Sequence, residues 1–204
     1  VSGGHTELGL MKGHGQYKII GETLDDAAGE CFDKTARLLG LNYPGGPAIA
    51  TEALKFGNLK VISQKLKAEL PRPMINSKDY NFSFSGLKTA VLYSYKGKNR
   101  PAMAYEIQEA IVDVLIAKTL KAMRNFNPKS VMIAGGVSAN KKLREKLTEK
   151  LKSFKISCFI PDLPYTTDNA AMIAAASYFN YIKKKPGPNS WKKIAADANL
   201  RLRL

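Results

Sequence analysis

Residues 130–160, SVMIAGGVSANKKLREKLTEKLKSFKISCFI, decide the fold class of this chain. The run Ser130–Ala134 is short and apolar with β-branched residues, which predicts a buried strand, and Lys155–Ile160 predicts a second one. Residues 135–140 between them predict a turn, and three leucines at intervals of four then indicate a helix: Leu143, Leu147 and Leu151. An alanine-rich helix over Asn169–Lys184 follows, so the strand–helix–strand–helix order predicts a parallel α/β layer.

The earlier part of the chain is predicted to be mainly helical. We expect a helix over Thr23–Leu39, capped by Thr23 and stopped by Gly40, then a loop over Asn42–Pro47 and a helix that starts at Pro47. The inward side of the helix predicted over Thr23–Leu39 is formed by seven residues: Leu24, Ala27, Ala28, Cys31, Thr35, Leu38 and Leu39. Its opposite side is formed by four residues: Asp26, Glu30, Asp33 and Arg37. Further helices are predicted over three ranges: Ser63–Glu69, Ser85–Tyr95 and Pro101–Arg124. The last of these has five inward residues: Ala104, Ile107, Ile111, Val114 and Leu115.

Composition excludes several classes of protein. The chain has 204 residues, 45% hydrophobic and 24% charged, which is typical of a folded protein and unlike disordered, collagen-like or coiled-coil chains. Its longest nearly apolar stretch, Ala170–Phe179, is shorter than the about 20 residues that a membrane-spanning helix needs. Cys31 and Cys158 are its only cysteines, which indicates a reducing compartment and no disulfide framework. The net charge of +15 indicates either a polyanionic partner or a surface filled with lysine.

Two glycine pairs follow apolar runs and are candidates for ligand binding. They lie in VSGGHT (residues 1–6) and IAGGVSAN (residues 133–140). Glycine lets backbone N–H groups approach a phosphate or a nucleotide ring, although a tight turn without any ligand is the simpler interpretation of either pair. The occurrence of two similar pairs favours one ligand held from two sides.

Single residues remain ambiguous between binding and structural roles. Asp33 could accept hydrogen bonds from ribose hydroxyls or form an exposed ion pair with Arg37, and Gly46 could approach a ligand or simply turn the chain. Asp168 could be a metal ligand or the cap of the following helix. The two histidines, His5 and His14, do not complete a zinc site by themselves.

Nucleophilic chemistry has no clear candidate in the sequence. Cys31 lies on the inward side of its predicted helix, which favours a core position over a nucleophile, and no catalytic residue is assigned.

Tyr80, Phe82 and Phe84 alternate near lysines, which indicates either a surface that stacks nucleic-acid bases or, more commonly, a half-buried strand.

Six motifs in a fixed order carry a family resemblance. They are VSGGHT (1–6), ETLDDAAGECFDK (22–34), YPGGP (43–47), FSFSGLKT (82–89), AGGVSAN (134–140) and TDNA (167–170). With this set the chain resembles the TsaD family of tRNA threonylcarbamoyladenosine (t6A) biosynthesis, in its bacterial form. The resemblance implies an α/β fold of the actin-like ATPase class (ASKHA, ribonuclease H-like). It also implies transfer of a threonylcarbamoyl group from threonylcarbamoyl-AMP to N6 of the adenosine 3′ of the anticodon, in tRNAs that read codons beginning with A.

The resemblance implies roles for particular residues. Val1, Ser2, Gly3 and Gly4 would lie against the phosphate and acyl end of the adenylate, or of ATP. Asp33 and Gly46 would bind the substrate, Asp33 through ribose, and Asn140 would complete the site. Asp168 would be a ligand of one divalent metal per subunit, iron in descriptions of the family and zinc as the alternative, acting as a Lewis acid and template.

In this family, the other metal ligands are a His-x-x-x-His pair that precedes the VSGGHT motif. We therefore expect the chain to be the C-terminal part of a longer protein, with an incomplete fold and no activity by itself. On this view residues 1–129 hold the first glycine turn and a helical substrate-binding region, residues 130–184 hold the second glycine turn and the metal aspartate, and residues 185–204 form a peripheral tail. The implied partners are tRNA and TsaB-like and TsaE-like proteins, without a membrane, in the cytoplasm.

Other functions remain open at this point. An ATPase or small-molecule phosphotransferase of the same fold would share both glycine turns, since fold does not determine function. A TsaB-like scaffold would have lost its nucleotide site, whereas Asp33, Gly46, Asn140 and Asp168 are retained here. Peptide hydrolysis, which an older name of the family suggests, has no supporting HExxH motif or nucleophile.

Overall fold

The computed structural model describes residues 1–59 and 69–197. Within these ranges the strands are β1 (Glu7–Gly13), β2 (Gln16–Glu22), β3 (Ser130–Met132) and β4 (Ser157–Phe159). The α-helices are α1 (Ala28–Leu38), α2 (Gly45–Leu59), α3 (Ser85–Ser94), α4 (Arg100–Phe126), α5 (Lys141–Ser153) and α6 (Ala170–Lys183). The helix predicted over Ser63–Glu69 falls almost wholly outside the described residues.

The parallel α/β layer predicted for the last third is confirmed. Strands β3 and β4 pair in parallel, with Ser130 opposite Ser157 and Met132 opposite Phe159. Helix α5 connects them, and the three leucines that predicted it are all buried. Each strand is shorter than predicted, because pairing covers only three residues on each side.

Helix α4 forms the centre of the hydrophobic core. The five residues predicted to face inward are all buried, so the prediction of this helix is confirmed. Its neighbours in the core include Phe32 and Cys31 of α1 and Leu87 and Val91 of α3. Burial raises the pKa of the Cys31 thiol to about 12, so Cys31 is a core residue, as predicted, and not a nucleophile.

Strands β1 and β2 form an antiparallel hairpin that the sequence did not predict. Glu7 pairs with Glu22 and Gly13 with Gln16, with two irregularities in the register. Beyond the hairpin, Thr23 pairs in parallel with Phe82. Phe82 and Phe84 are buried with their ring centroids 6.4 Å apart, so these two aromatics belong to the interior and do not offer a surface for base stacking.

Helix α1 begins at Ala28, five residues later than predicted. Thr23 does not cap it, since this residue pairs with Phe82 and its hydroxyl donates to the Asp26 carbonyl at 2.8 Å. Leu24, predicted to face inward, is 62% exposed. The predicted stop at Gly40 agrees with the structure, because Gly40 follows the helix with a φ of +67°.

Helix α2 begins at Gly45, two residues before the predicted start. The expectation that both glycines of the YPGGP motif would lie in a loop was therefore wrong. Gly45 is buried against α1, and a Cβ at this position would lie 2.5 Å from the Cα of Asp33. Only glycine allows the start of α2 to approach α1 this closely.

Asp25 connects the loop before α1 to the start of α3. Its carboxylate accepts hydrogen bonds from the backbone N–H groups of Phe84 (2.8 Å) and Ser85 (3.2 Å) and from the hydroxyls of Ser83 and Ser85 (both 2.6 Å). Desolvation opposes ionisation of this carboxyl, but the four hydrogen bonds outweigh it, so the pKa of Asp25 lies below its ordinary value. Asp25 is thus the cap of a helix about sixty residues away in the chain.

Replacing Asp25 with alanine is expected to destabilise the fold by about 1–3 kcal/mol, because two backbone donors at the start of α3 lose their acceptor. The pKa of Asp25 is lower in the folded state than in the unfolded state. The contribution of its carboxylate to the free energy of unfolding is therefore complete above the unfolded pKa of about 4, and it is lost as the pH falls through the folded-state pKa. Urea denaturation at several pH values measures this. Glu145→Ala, which removes only an exposed pair with Lys141, is the control, and a pH-independent difference between wild type and Asp25→Ala would contradict the account.

Helix α6 lies at the surface and begins with Asn169 as its cap. The Asn169 Oδ1 accepts from the Met172 N–H at 2.9 Å, so of the two roles left open for Asp168, that of the cap belongs to the next residue. Near the other end of α6, the Phe179 ring stacks on His14 of the hairpin turn with centroids 3.4 Å apart.

Among the helices of the described residues, none combines the length and the apolar character needed to cross a membrane.

Candidate functional site

The two glycine turns are in direct contact. The Val1 nitrogen donates to the Ala134 carbonyl at 2.7 Å, and the Val137 N–H donates to the Val1 carbonyl at 3.1 Å. Gly135 lies at this junction with a φ of +90°, and a Cβ on it would lie 2.4 Å from the Val1 oxygen. Backbone hydrogen bonds thus join the two glycine turns, and their joint grip on one ligand stays a prediction.

Beside the junction, both turns leave open space. No atom lies within 4 Å of an ideal Cβ built on Gly3, Gly4 or Gly136. The first turn is closed internally, since the Ser2 N–H donates to the His5 carbonyl at 2.8 Å and the His5 N–H donates to the Ser2 hydroxyl oxygen at 3.1 Å. A ligand can therefore approach the backbone at these glycines without displacing a side chain.

Helix α1 supports the first turn and carries Asp33. The Gly29 N–H donates to the Ser2 carbonyl at 3.1 Å, and a Cβ on Gly29 would lie 2.7 Å from the Gly3 Cα. Asp33 follows four residues later, so it lies on the same face of the helix, one turn further on. Gly29 is thus buried beneath the first glycine turn, and Asp33 lies one helical turn further along α1.

One oxygen of Asp33 is already engaged. Its Oδ1 accepts from the Gly45 N–H at 2.7 Å, which satisfies a free donor at the start of α2. Among the described residues, none donates a hydrogen bond to Oδ2, and no ion pair joins Asp33 to Arg37. Gly46, the next residue of α2, has no atom within 4 Å of an ideal Cβ. Asp33 Oδ2 and the backbone at Gly46 are thus available together to a ligand.

Asn140 ends the second glycine turn and joins it to two helices. Its Oδ1 accepts from the Leu143 N–H at 3.0 Å, which caps α5, and its Nδ2 donates to Gln108 Oε1 of α4 at 3.0 Å. One Nδ2 hydrogen and one Oδ1 lone pair remain for a ligand. Gln108 was not predicted from the sequence, because it lies on an otherwise apolar face of α4.

Arg144 is a second residue that the sequence did not reveal. Its Nε donates to the Ser138 carbonyl at 2.6 Å and its Nη2 to the Pro161 carbonyl at 2.8 Å. It thereby ties the second glycine turn to the loop that leads to Asp168. In the sequence it is indistinguishable from the neighbouring lysines of a basic helix.

Asp168 is not brought together with other metal-binding side chains. It is exposed, and across residues 1–59 and 69–197 no group of three or more His, Cys, Asp and Glu side chains could hold a metal ion. His5 belongs to the first glycine turn and His14 stacks on Phe179. The described residues therefore do not form a metal site around Asp168.

Comparison with known proteins gives a consistent result. The family model described as "TsaD: tRNA N6-adenosine threonylcarbamoyltransferase" matches residues 1–175. The chain belongs to this family. Curated relatives named tRNA N6-adenosine threonylcarbamoyltransferase include those of Thermosipho africanus (46% identical over 99% of this chain) and Persephonella marina (49% over 99%). A third, from Ralstonia pickettii, is 50% identical over 86% of this chain.

The match covers only part of each TsaD relative. The aligned region is 60% of the Thermosipho protein, 57% of the Persephonella protein and 52% of the Ralstonia protein. The mixed α/β arrangement with two small sheets agrees with the actin-like fold class of TsaD proteins. The two glycine turns, Asp33 and Gly46 all lie within the region that matches the TsaD model.

Proposed function

We propose that the chain takes part in t6A synthesis, by the transfer of a threonylcarbamoyl group from threonylcarbamoyl-AMP to N6 of the adenosine 3′ of the anticodon. One observation carries the proposal: in a chain of the TsaD family, two paired glycine turns have open backbone, and α1, which supports the first turn, also carries Asp33 beside the start of α2. Open backbone next to a carboxylate suits a ligand with both a phosphate and a ribose.

Each candidate residue then has a definite task towards the adenylate. The backbone at Gly3 and Gly4 receives the phosphate and acyl end, with Val1 and Ser2 holding the turn in place. Asp33 Oδ2 accepts from a ribose hydroxyl while Oδ1 stays on Gly45, and Gly46 lets the ligand approach α2. Asn140 contributes its remaining Nδ2 hydrogen from the second turn.

In this reaction the N6 amine attacks the carbamoyl carbon, a C–N bond forms, the bond from that carbon to the phosphate oxygen breaks, and AMP leaves. The residues named above bind and orient the adenylate, which brings the reacting atoms together. N6 loses a proton in the process, and no residue of the described chain is assigned as its acceptor.

We retain Asp168 as one ligand of a divalent metal, iron or zinc, whose other ligands lie outside the described residues. Its exposed carboxylate supports this role, since aspartate oxygens ligate both zinc and iron(II) in proteins, commonly together with histidines. We assign no step to the metal. TsaB-like and TsaE-like proteins are the proposed partners and the cytoplasm the proposed location.

The direct test is t6A formation by the whole protein from threonylcarbamoyl-AMP and unmodified tRNA. A titration with threonylcarbamoyl-AMP separates the transferase from a TsaB-like scaffold, because saturable binding is expected only for the transferase. An ATPase or small-molecule phosphotransferase would instead turn over ATP without tRNA and without forming t6A.

Affinity for tRNA is expected to fall steeply with salt, because the chain carries a net charge of +15 and bound phosphates release counterions. A protein that neutralises about four phosphates loses roughly 100-fold in affinity between 50 and 200 mM salt. Filter binding of the whole protein to unmodified tRNA measures this. An affinity that stays constant over this range would contradict a role of the charge in tRNA binding.

A further inference from the structure

The last part of the described chain is strongly basic. Residues 178–193, YFNYIKKKPGPNSWKK, contain five lysines and no acidic residue: Lys183, Lys184, Lys185, Lys192 and Lys193. All five are exposed, and none takes part in the ion pairs formed within the described residues. The segment begins beyond residue 175, where the match to the family model ends. We call residues 178–193 the basic segment.

Exposed aromatic rings accompany these lysines. Trp191 is 67% exposed, Tyr178 60% and Tyr181 50%. The Lys192 Nζ lies 5.5 Å from the centroid of the Trp191 ring. Trp191 is the sixth residue after Lys185, so the two lie within about 20 Å of each other. Positive charge next to open aromatic faces is the composition of surfaces that bind single-stranded nucleic acid.

The hairpin extends this surface towards the candidate site. Helix α6 meets the β1–β2 turn, where Phe179 stacks on His14, and a Cβ on Gly15 would lie 3.7 Å from the Lys183 Nζ. The hairpin adds two exposed lysines, Lys12 and Lys18. Strand β1 runs from the first glycine turn to this tip, a length of about 20 Å.

We propose that the basic segment, together with the hairpin tip, is the docking surface for unpaired nucleotides of the tRNA substrate. The lysines meet backbone phosphates and Trp191 stacks on a base. This inference rests on the proposed function and adds the surface that holds the RNA.

An anionic membrane is the competing partner for a basic surface with a tryptophan. Membrane-surface helices separate an apolar face from a charged face along one helix. Here Trp191 and the two lysines that follow it lie after a Pro-Gly-Pro stretch, within a short 3₁₀ turn, Ser190–Lys193, and not on a long amphipathic helix. Charge placed directly against the ring, with no separate apolar face, favours RNA.

Two variants of the whole protein test the charge. Lys183, Lys184 and Lys185 are changed together to Gln in the first. Lys150, Lys152 and Lys155 are changed together to Gln in the control, which removes the same exposed charge from α5 and the residues after it. We expect the first variant to bind unmodified tRNA at least about tenfold more weakly at 100 mM salt, with a salt slope reduced by about 2–3. The control should change affinity less than threefold. Equal losses in both variants would overturn the proposal.

Trp191 provides a second, independent readout. Trp191→Ala should weaken tRNA binding about five- to tenfold, and Trp191→Phe should restore affinity to within twofold, because stacking needs only an aromatic face. The fluorescence of Trp191 is obtained as the difference between the emission of wild type and that of Trp191→Phe. An anticodon stem-loop should quench this fluorescence, and a duplex with the same number of phosphates should quench it much less. Unchanged affinity of Trp191→Ala, or equal quenching by the duplex, would overturn the proposal.

Vesicles containing phosphatidylserine address the competing partner. Vesicle binding that is lost in the Lys183/Lys184/Lys185 variant, together with unchanged tRNA affinity, would assign the surface to a membrane and overturn the proposal. If wild type forms t6A but this variant binds tRNA normally, only the docking surface is wrong. If wild type forms no t6A, the proposed function itself fails.

Discussion

Replacing Gly135 with alanine is expected to destabilise the protein by about 2–5 kcal/mol and to abolish adenylate binding. The added Cβ would lie 2.4 Å from the Val1 carbonyl oxygen, and the φ of +90° is strained for any residue with a side chain. Relief of this overlap requires the two glycine turns to separate. The free energy of unfolding from urea denaturation, with calorimetric titration of threonylcarbamoyl-AMP, measures both effects.

Gly136→Ala is the matched control for this change. It introduces the same methyl group one residue later, where no atom lies within 4 Å, so its stability should stay within about 1 kcal/mol of wild type. Comparable destabilisation by both variants, or wild-type behaviour of Gly135→Ala, would contradict the direct contact between the turns.

Replacing Asp33 with asparagine is expected to weaken threonylcarbamoyl-AMP binding by about 10- to 100-fold, the usual effect of losing a charge-assisted hydrogen bond in a site. The asparagine oxygen can still accept from the Gly45 N–H, so the start of α2 should remain in place. Its amide group cannot accept from a ribose hydroxyl. Calorimetric titration measures the affinity, and urea denaturation checks that the fold is intact.

The control is Asp162→Asn, which changes an exposed aspartate in the loop after β4. Its adenylate affinity should equal that of wild type. Binding by Asp33→Asn within twofold of wild type would show that Asp33 is a structural cap for α2 and nothing more, and would remove it from the proposed site.

Periodic elements were predictable from the sequence, whereas elements defined by distant partners were not. Helices α4 and α5 were found because their apolar residues repeat at helical spacing and bury one face. The start of α1 was misplaced because Thr23 resembles a cap, while in the structure it pairs with Phe82. Asp25 beside it is engaged by the start of α3. No local pattern reveals such a partner.

The β1–β2 hairpin was missed for a related reason. The hairpin contains four glycines, at positions 9, 13, 15 and 21. They weaken the alternation of apolar and polar side chains from which strands are predicted. Gly21 is required by packing, since a Cβ there would lie 2.1 Å from the Tyr80 carbonyl oxygen. That contact depends on the tertiary fold and leaves no local signature.

The candidate site was partly predictable. The glycine pairs became candidates because two of similar form occur, and Asp33 became one through the family resemblance, although each alone has a simpler structural interpretation. Their contact through the Val1 backbone and Gly45 could not, because it depends on how α1 meets α2 and the second turn. The roles of Gln108 and Arg144 could not be predicted from the sequence. Gln108 lies in a helix recognised by its apolar spacing, and Arg144 lies in a basic helix where one more positive charge carries no signal.

The most direct test of the account is the transfer reaction itself. The whole protein is incubated with threonylcarbamoyl-AMP and unmodified tRNA, and the digested nucleosides are analysed by mass spectrometry. We expect t6A in the wild-type reaction, none without the adenylate, and at least about tenfold less with Asp33→Asn at subsaturating adenylate. Absence of t6A under conditions in which a bacterial relative forms it would contradict the account.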